Sequence, residues 1–201
     1  QVPSLDPKAV EDAIIGCAMP EAEQGLNMAR IAVLLAGLPN TTGGMTINRF
    51  CSSGLNAVAI AADRIRVGEA DVMIAGGAES MSMVPMTGNK PAFNPAIFAK
   101  DENFGIAYGM GLTAEKVAAQ WKITREMQDE FALQSHKRSI AGIESGEYND
   151  EITPIEVVEK FPNLATGELD IRTRAGKQDE GPRADTTLEA LAKLRPVFAV
   201  K

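Results

Sequence analysis

The stretch from Met45 to Gly68 limits the fold more than any other. Met45 to Phe50 is a β-type run, and a helical run follows it directly. Counting from Cys51, apolar residues recur at Leu55, Val58, Ala62 and Ile65, in steps of four and three, which is one face of an α-helix. The helix is predicted to start at about Cys51 and to stop at Gly68. Cys51 therefore sits on a strand-to-helix junction, where unpaired backbone N–H groups and the positive end of the helix dipole favour thiolate over thiol. Such a turn also pushes its side chain outward, as the strained elbow of a hydrolase presents its serine. The small neighbours Ser52, Ser53 and Gly54 leave room for a substrate. Position alone leaves a second reading open, because cysteine is often a small buried hydrophobe.

The surrounding sequence repeats the same alternation. Residues 9–19 hold a short apolar run that reads as a buried strand, although periodicity alone also admits a helical turn. Gly25 to Ala36 reads as a helix closed by Gly37 and Pro39. Thr41 to Gly44 is a turn, and Asp71 to Ala75 is another buried strand that ends at Gly76-Gly77. Strand, helix, strand, helix, strand implies an α/β fold with a layered sheet. Sites in such sheets collect where strand ends meet helix starts, the place of both Cys51 and Gly76-Gly77. The two glycines read either as a plain turn or as a place where backbone approaches the thiol. They are not a phosphate loop, since no Gly-Lys-Ser/Thr follows.

Beyond Met81 the texture changes. Pro85, Pro91 and Pro95 break residues 82–105 into irregular structure, and a domain boundary is expected there, with domains at 1–84 and 85–201. Thr113 is predicted to cap a helix through Trp121. Thr124 caps a longer one with Met127, Phe131, Ile140 and Ile143 inward. Glu151 to Val158 reads as a strand and 162–182 as a long loop or hairpin. Thr186 to Glu189 reads as a capping box that opens a short helix before Pro196.

Composition removes several classes. A net charge of −7 over 201 residues argues against nucleic acid as the main partner. No apolar run approaches the ~18 residues of a membrane span. Cys17 and Cys51 suggest no disulfide framework, and a reducing, cytoplasmic setting fits. Cys17, Cys51 and His136 lack metal-ligand spacing, so no metal site is expected. Gln1 at the start and the apolar Val197-Phe198-Ala199-Val200-Lys201 at the end suggest a fragment.

Asn48-x-x-Cys51-Ser52-Ser53-Gly54-Leu55, followed by Gly76-Gly77-Ala78-Glu79-Ser80-Met81-Ser82, resembles the acyl-enzyme cysteine segment of the thiolases. The likeness continues through Leu112 to Ala118 and Leu191 to Phe198. It implies the N-terminal half of a thiolase-like α/β/α fold with an inserted helical and irregular loop domain. It also implies that Cys51 attacks a 3-ketoacyl-coenzyme A, holds the acyl group, and yields it to a coenzyme A thiol. Coenzyme A is then a substrate, with no permanently bound cofactor. The segments around residues 85–91 resemble degradative 3-ketoacyl-coenzyme A thiolases more than acetyl-coenzyme A acetyltransferases. A homodimer or tetramer is implied, with a β-oxidation hydratase/dehydrogenase as a candidate partner. A non-catalytic lipid-carrier relative and a ketoacyl synthase are the competing readings.

The resemblance places Met110 over the acyl pocket and Arg183, Leu194 and Phe198 along the coenzyme A groove. An arginine suits a nucleotide because it stacks on adenine and pairs with phosphate. Read without the resemblance, Arg183 is a surface residue and Leu194 and Phe198 are core apolars. Two departures stand out: Gly109 replaces a histidine common before the methionine, and Ala190 replaces a common serine. Met81, Met83, Met86 and Met110 read as adaptable apolar surface. His136, the only histidine, lies in a polar helical run and reads as solvated. The family's catalytic histidine belongs to a Gly-His-Pro segment, which these residues lack. The 201 residues alone are therefore expected to be inactive and poorly stable, with exposed apolar core faces.

Overall fold

The first strand, β1 (Asp12–Gly16), lies at the centre of a three-stranded parallel sheet. The computed structural model describes residues 2–198. β2 (Met45–Ile47) flanks β1 on one side and β3 (Met73–Gly77) on the other. Ile14 pairs with Met45 and with Ala75, while Gly16 pairs with Ile47 and with Gly77. Side chains alternate across a strand. Ile14, Met45 and Ala75 therefore share one face, and the buried Ile14 packs there with Ala57 and Ala61 of helix α2 (Ser53–Arg66). Thr46 points to the other face, where its hydroxyl accepts the Ala29 N–H of helix α1 (Met28–Leu35) at 3.0 Å. The two helices thus cover opposite faces of the sheet, a layered α/β/α arrangement.

The helices meet the sheet through small residues. α1 buries Ala29 and Val33, and α2 buries Ser53, Ala57 and Ala61, each set spaced by four. Of the larger apolars of α2, Ile60 packs half-buried against the Ile14, Ala57 and Ala61 cluster, while Leu55, at 75% exposed, and Val58 and Ile65 point away. Arg64 clamps the far end of α2 to the sheet, with Nη1 2.6 Å from Asp12 Oδ2 and Nε 2.9 Å from Glu69 Oε1.

The chain divides into two units, Gln1–Phe104 and Gly105–Lys201. Residues 85–104 group with the first, where the Asn89 N–H donates to Glu21 Oε1 at 2.9 Å. The second unit holds α3 (Met110–Trp121), α4 (Arg125–Glu144), an antiparallel ribbon of β4 (Ile155–Pro162) and β5 (Leu169–Gly176), and the short α5 (Leu188–Ala192). α3 starts three residues before the expected Thr113 cap, because the Thr113 N–H already continues the helix to the Gly109 carbonyl at 3.2 Å. Thr124 does cap α4, its Oγ1 accepting the Met127 N–H at 3.3 Å. The α5 cap is Thr187 rather than Thr186, with Oγ1 3.1 Å from the Ala190 nitrogen. Residues 163–168 close a hairpin, the Asn163 N–H donating to the Glu168 carbonyl at 2.8 Å. Met127 and Phe131, expected inward, are exposed, whereas Ile140 and Ile143 are half-buried. Among the described residues of this unit none is buried, so α4 has no core into which Phe131 could turn. No described helix is long and apolar enough to cross a membrane.

Candidate active site

Parallel strands bring their carboxyl ends to one edge of a sheet, and ligands bind at that edge in open α/β folds. Three segments leave the sheet there: Cys17 to Pro20 after β1, Asn48 to Ser52 after β2, and Ala78 to Ser80 after β3. Cys51 is the middle residue of a single 3-10 turn, Phe50–Ser52, that runs straight into α2. Its side chain is exposed. The strand-to-helix junction read from the sequence is therefore present, with α2 proper beginning two residues after the cysteine.

The turn is tightly specified. Asn48 Oδ1 accepts the Phe50 N–H at 2.8 Å, an Asx turn. The Ser53 hydroxyl accepts the Arg49 N–H at 2.8 Å and donates to the Phe50 carbonyl at 2.6 Å. The Ser52 hydroxyl donates to the Arg49 carbonyl at 2.9 Å. Phe50 is held at a φ of +47°, the left-handed region that a bulky residue adopts only when its surroundings impose it, at a cost of about 1–3 kcal/mol. The strain of the elbow thus falls on the residue before the thiol.

Glycine lets the helix start sit directly on the strand ends. A methyl group on Gly16 would lie 2.5 Å from the Gly54 nitrogen and 2.7 Å from the Ser53 carbonyl oxygen. One on Gly77 would lie 3.4 Å from the Gly54 Cα. Gly77 thus lies against Gly54 at the helix start, with room for ordinary contact, and the position that demands glycine is Gly16. Gly76 meets only the Ile15 side chain.

Behind the turn lies a polar cluster. Glu79 accepts the Ala18 N–H at 2.6 Å, the Met19 N–H at 3.3 Å and the Gln24 side-chain amide at 2.7 Å. Gln24 Nε2 also donates to the Met19 carbonyl at 2.9 Å, and its Oε1 accepts the Ser80 N–H. Gln24 and Cys17 are both buried. Burial pushes the Cys17 thiol above its ordinary value, and the Glu79 carboxylate 3.8 Å away adds to the effect. Cys17 is thereby kept as an inert thiol, in contrast to exposed Cys51. Burial also pushes the Glu79 carboxyl up, but the Ala18, Gln24, Met19 and Cys17 hydrogen bonds outweigh it and hold the group below the ordinary carboxylate range. A cavity of about 250 Å³ adjoins the turn, lined by Ala18, Met19, Asn48, Phe50 and Lys90 among others; Cys51 is not in its wall.

The other expected site residues lie in the second unit. Met110 is the first residue of α3 and is exposed. The Phe198 ring packs closely on Gly111, so a side chain added there would displace the ring. The Leu194 carbonyl accepts from Arg125 Nη2 at 3.0 Å, which ties the end of α5 to the first turn of α4. The exposed Arg183 places Nε 3.9 Å from Asp185 Oδ1, and its main-chain N–H donates to His136 Nδ1 at 3.1 Å. His136 is thus half-buried and structural rather than simply solvated. Leu194 and Phe198 are exposed rather than core. Met81, Met83 and Met86 are exposed too. Gly16, Ser53 and Gln24 are the residues that sequence inspection missed.

The profile described as "Thiolase, N-terminal domain" matches residues 1–201. The chain belongs to the thiolase family. It is 46% identical over 192 residues to a 3-ketoacyl-CoA thiolase of Bacillus subtilis, covering 95% of this chain and 48% of that protein. A 3-ketoacyl-CoA thiolase of Shewanella oneidensis is 45% identical over 197 residues, covering 98% and 48%. Among solved structures, the acetyl-CoA acetyltransferase of Bacillus anthracis superposes with a TM-score of 0.76 at 36% identity, covering 97% of this chain and 49% of that one. This thiolase domain therefore spans about half the length of the curated relatives it matches. The α/β fold expected from the strand and helix alternation is that of the family.

Proposed function

We propose that this chain supplies the acyl-accepting cysteine of a thiolase acting in fatty-acid β-oxidation. The observation that carries the reading is Cys51, exposed at the carboxyl edge of a parallel sheet on a strained turn that Asn48 and Ser53 hold by hydrogen bonds. The Cys51 thiolate adds to the ketone carbon of a 3-ketoacyl-coenzyme A. The C2–C3 bond breaks, its electron pair stays with the two-carbon fragment, that fragment takes up the proton the Cys51 thiol gave up on becoming a thiolate, and acetyl-coenzyme A leaves. The remaining acyl group is then a thioester on Cys51. A coenzyme A thiol attacks that thioester, releases the shortened acyl-coenzyme A and returns the Cys51 thiol. The Cys51 N–H supplies half of the oxyanion hole, a class of contact with large effects on rate. The acid/base groups come from outside these 201 residues, in keeping with the half-length match.

In the second unit Met110 borders the acyl group, while Arg183, Leu194 and Phe198 contact coenzyme A. The names of the sequence relatives favour thiolytic cleavage, whereas that of the solved structure keeps acetyl transfer to acetyl-coenzyme A as the second reading. A cytoplasmic homodimer or tetramer working beside a hydratase/dehydrogenase completes the proposal.

The test is peptide mass spectrometry after incubation with acetyl-coenzyme A at mildly alkaline pH, where thiols ionise without help from a base. An acetyl group on Cys51, absent in Cys51→Ala, is expected. Coenzyme A binding without any adduct would favour the carrier reading instead.

A further inference from the structure

We propose that Glu79 is a positioning residue for Cys51, acting through the Ala18 peptide and Asn48; the inference rests on Cys51 being the acyl-accepting thiol. The contacts form a continuous chain. Glu79, at the end of β3, takes the Ala18 and Met19 N–H groups at 2.6 and 3.3 Å. A carboxylate that accepts two successive main-chain donors fixes the orientation of that turn, and such charge-assisted bonds are the stronger kind. The Ala18 carbonyl then faces Asn48 and accepts its Nδ2 at 2.9 Å. With Nδ2 so engaged, Asn48 Oδ1 is aimed at the Phe50 N–H, 2.8 Å away. That bond holds Phe50 left-handed, and Cys51 is the next residue.

One carboxylate thereby joins the carboxyl ends of all three strands: its own after β3, the Ala18 turn after β1, and Asn48 after β2. The buried Gln24 braces it from behind, donating to Glu79 and accepting from Ser80. In this scheme Glu79 exchanges no proton with substrate. Its work is to keep the Cys51 turn in the one conformation that presents the thiol.

The experiment measures alkylation of Cys51 by iodoacetamide in the 201-residue chain, with peptide mass spectrometry separating Cys51 from Cys17. Glu79→Ala, Asn48→Ala and the double variant are compared, each checked for folding by circular dichroism. Each single change is expected to slow Cys51 alkylation by about threefold or more, the factor given by one lost hydrogen bond of ordinary net strength. The double variant is expected to be no slower than the slower single one, because two residues acting along one path are not additive. Glu79→Gln, which keeps one acceptor oxygen for Ala18, should fall between wild type and Glu79→Ala. It replaces Glu79→Ala in the cycle if the latter does not fold.

An unchanged Cys51 rate in folded Glu79→Ala, or effects of Glu79 and Asn48 that multiply, would overturn the proposal. A purely structural role would lower the melting temperature without this non-additivity at Cys51. Acetylation from acetyl-coenzyme A is run in parallel. If wild type alkylates at Cys51 but never acetylates there, the failure lies with the functional reading, and the alkylation cycle still decides the role of Glu79.

Discussion

The two units of the chain are stabilised in different ways. The first buries Val10, Ala13, Ile14, Cys17, Ala29, Val33, Ala57 and Ala61 between and beside its strands, and it carries the Cys51 turn. The second has regular helices and a ribbon but no buried residue among those described. Its order comes from local devices: threonine caps at 124 and 187, the left-handed Lys122 between α3 and α4, and arginines that satisfy main-chain or carboxylate oxygens. Arg125 bonds Asp129 and the Leu191 and Leu194 carbonyls, and Arg174 bridges Glu159 and Glu180. A helix cap contributes about 1 kcal/mol and solvent-screened ion pairs little, whereas a packed core side chain contributes several times as much as a cap. The difference suits the proposed chemistry. The thiol proposed to accept the acyl group sits on the unit that has a core, and the residues proposed to contact coenzyme A sit on the unit with no buried residue among those described.

The largest expected effect would break this comparison if it failed. Ile14→Ala removes a fully buried side chain from the cluster beneath α2. It is expected to lower the stability of the first unit by about 2–5 kcal/mol. Phe131→Ala, at a position 77% exposed, is expected to change stability by no more than about 0.5 kcal/mol. Native-state hydrogen exchange reads the two units separately, so the slowest amides of β1, β2 and β3 should lose protection in the first variant alone. A comparable loss of protection in α3 and α4 from Phe131→Ala would mean that the second unit has a core after all.

The second prediction concerns how α2 meets the sheet, which is also where the sequence was hardest to read. The strand and helix order, the Thr124 cap and the junction at Cys51 were all legible, because periodicity and capping are local signals. The buried face of α2 was not. Large apolars draw the eye to Leu55, Val58 and Ile65, yet the helix lies on Ser53, Ala57 and Ala61. Small residues permit close approach but leave only a weak hydrophobic pattern. Gly16 carries no local sign of its role either, since the Ser53 and Gly54 backbone it admits lies far along the chain. The Glu79 bonds to Ala18 and Met19 are equally nonlocal. Gly16→Ala is therefore expected to cost about 1–3 kcal/mol through overpacking against backbone that cannot rotate aside. A denaturant melt with an unchanged slope would report it. A wild-type midpoint would mean that the helix start is free to shift.

The smallest expected effect sharpens the account of Glu79. Its carboxyl is held below the ordinary range in the folded chain, so folding favours its ionised form. The sign follows from linkage: the contribution is complete above the unfolded-state value and is lost as pH falls through the depressed folded value. Because the side chain is exposed, solvent screens the interaction, and the effect should be smaller than either substitution above. The measurement compares thermal midpoints of wild type and Glu79→Gln at about pH 5.5 and pH 3, which bracket the ordinary glutamate value near 4.3. The other carboxylates titrate in both proteins and cancel in the difference. Wild type should lose more than the variant over that interval. Equal losses would mean that the Ala18 and Met19 N–H groups bind the charged and neutral forms alike, and Glu79 would then be one acceptor among many rather than the anchor of the Cys51 turn.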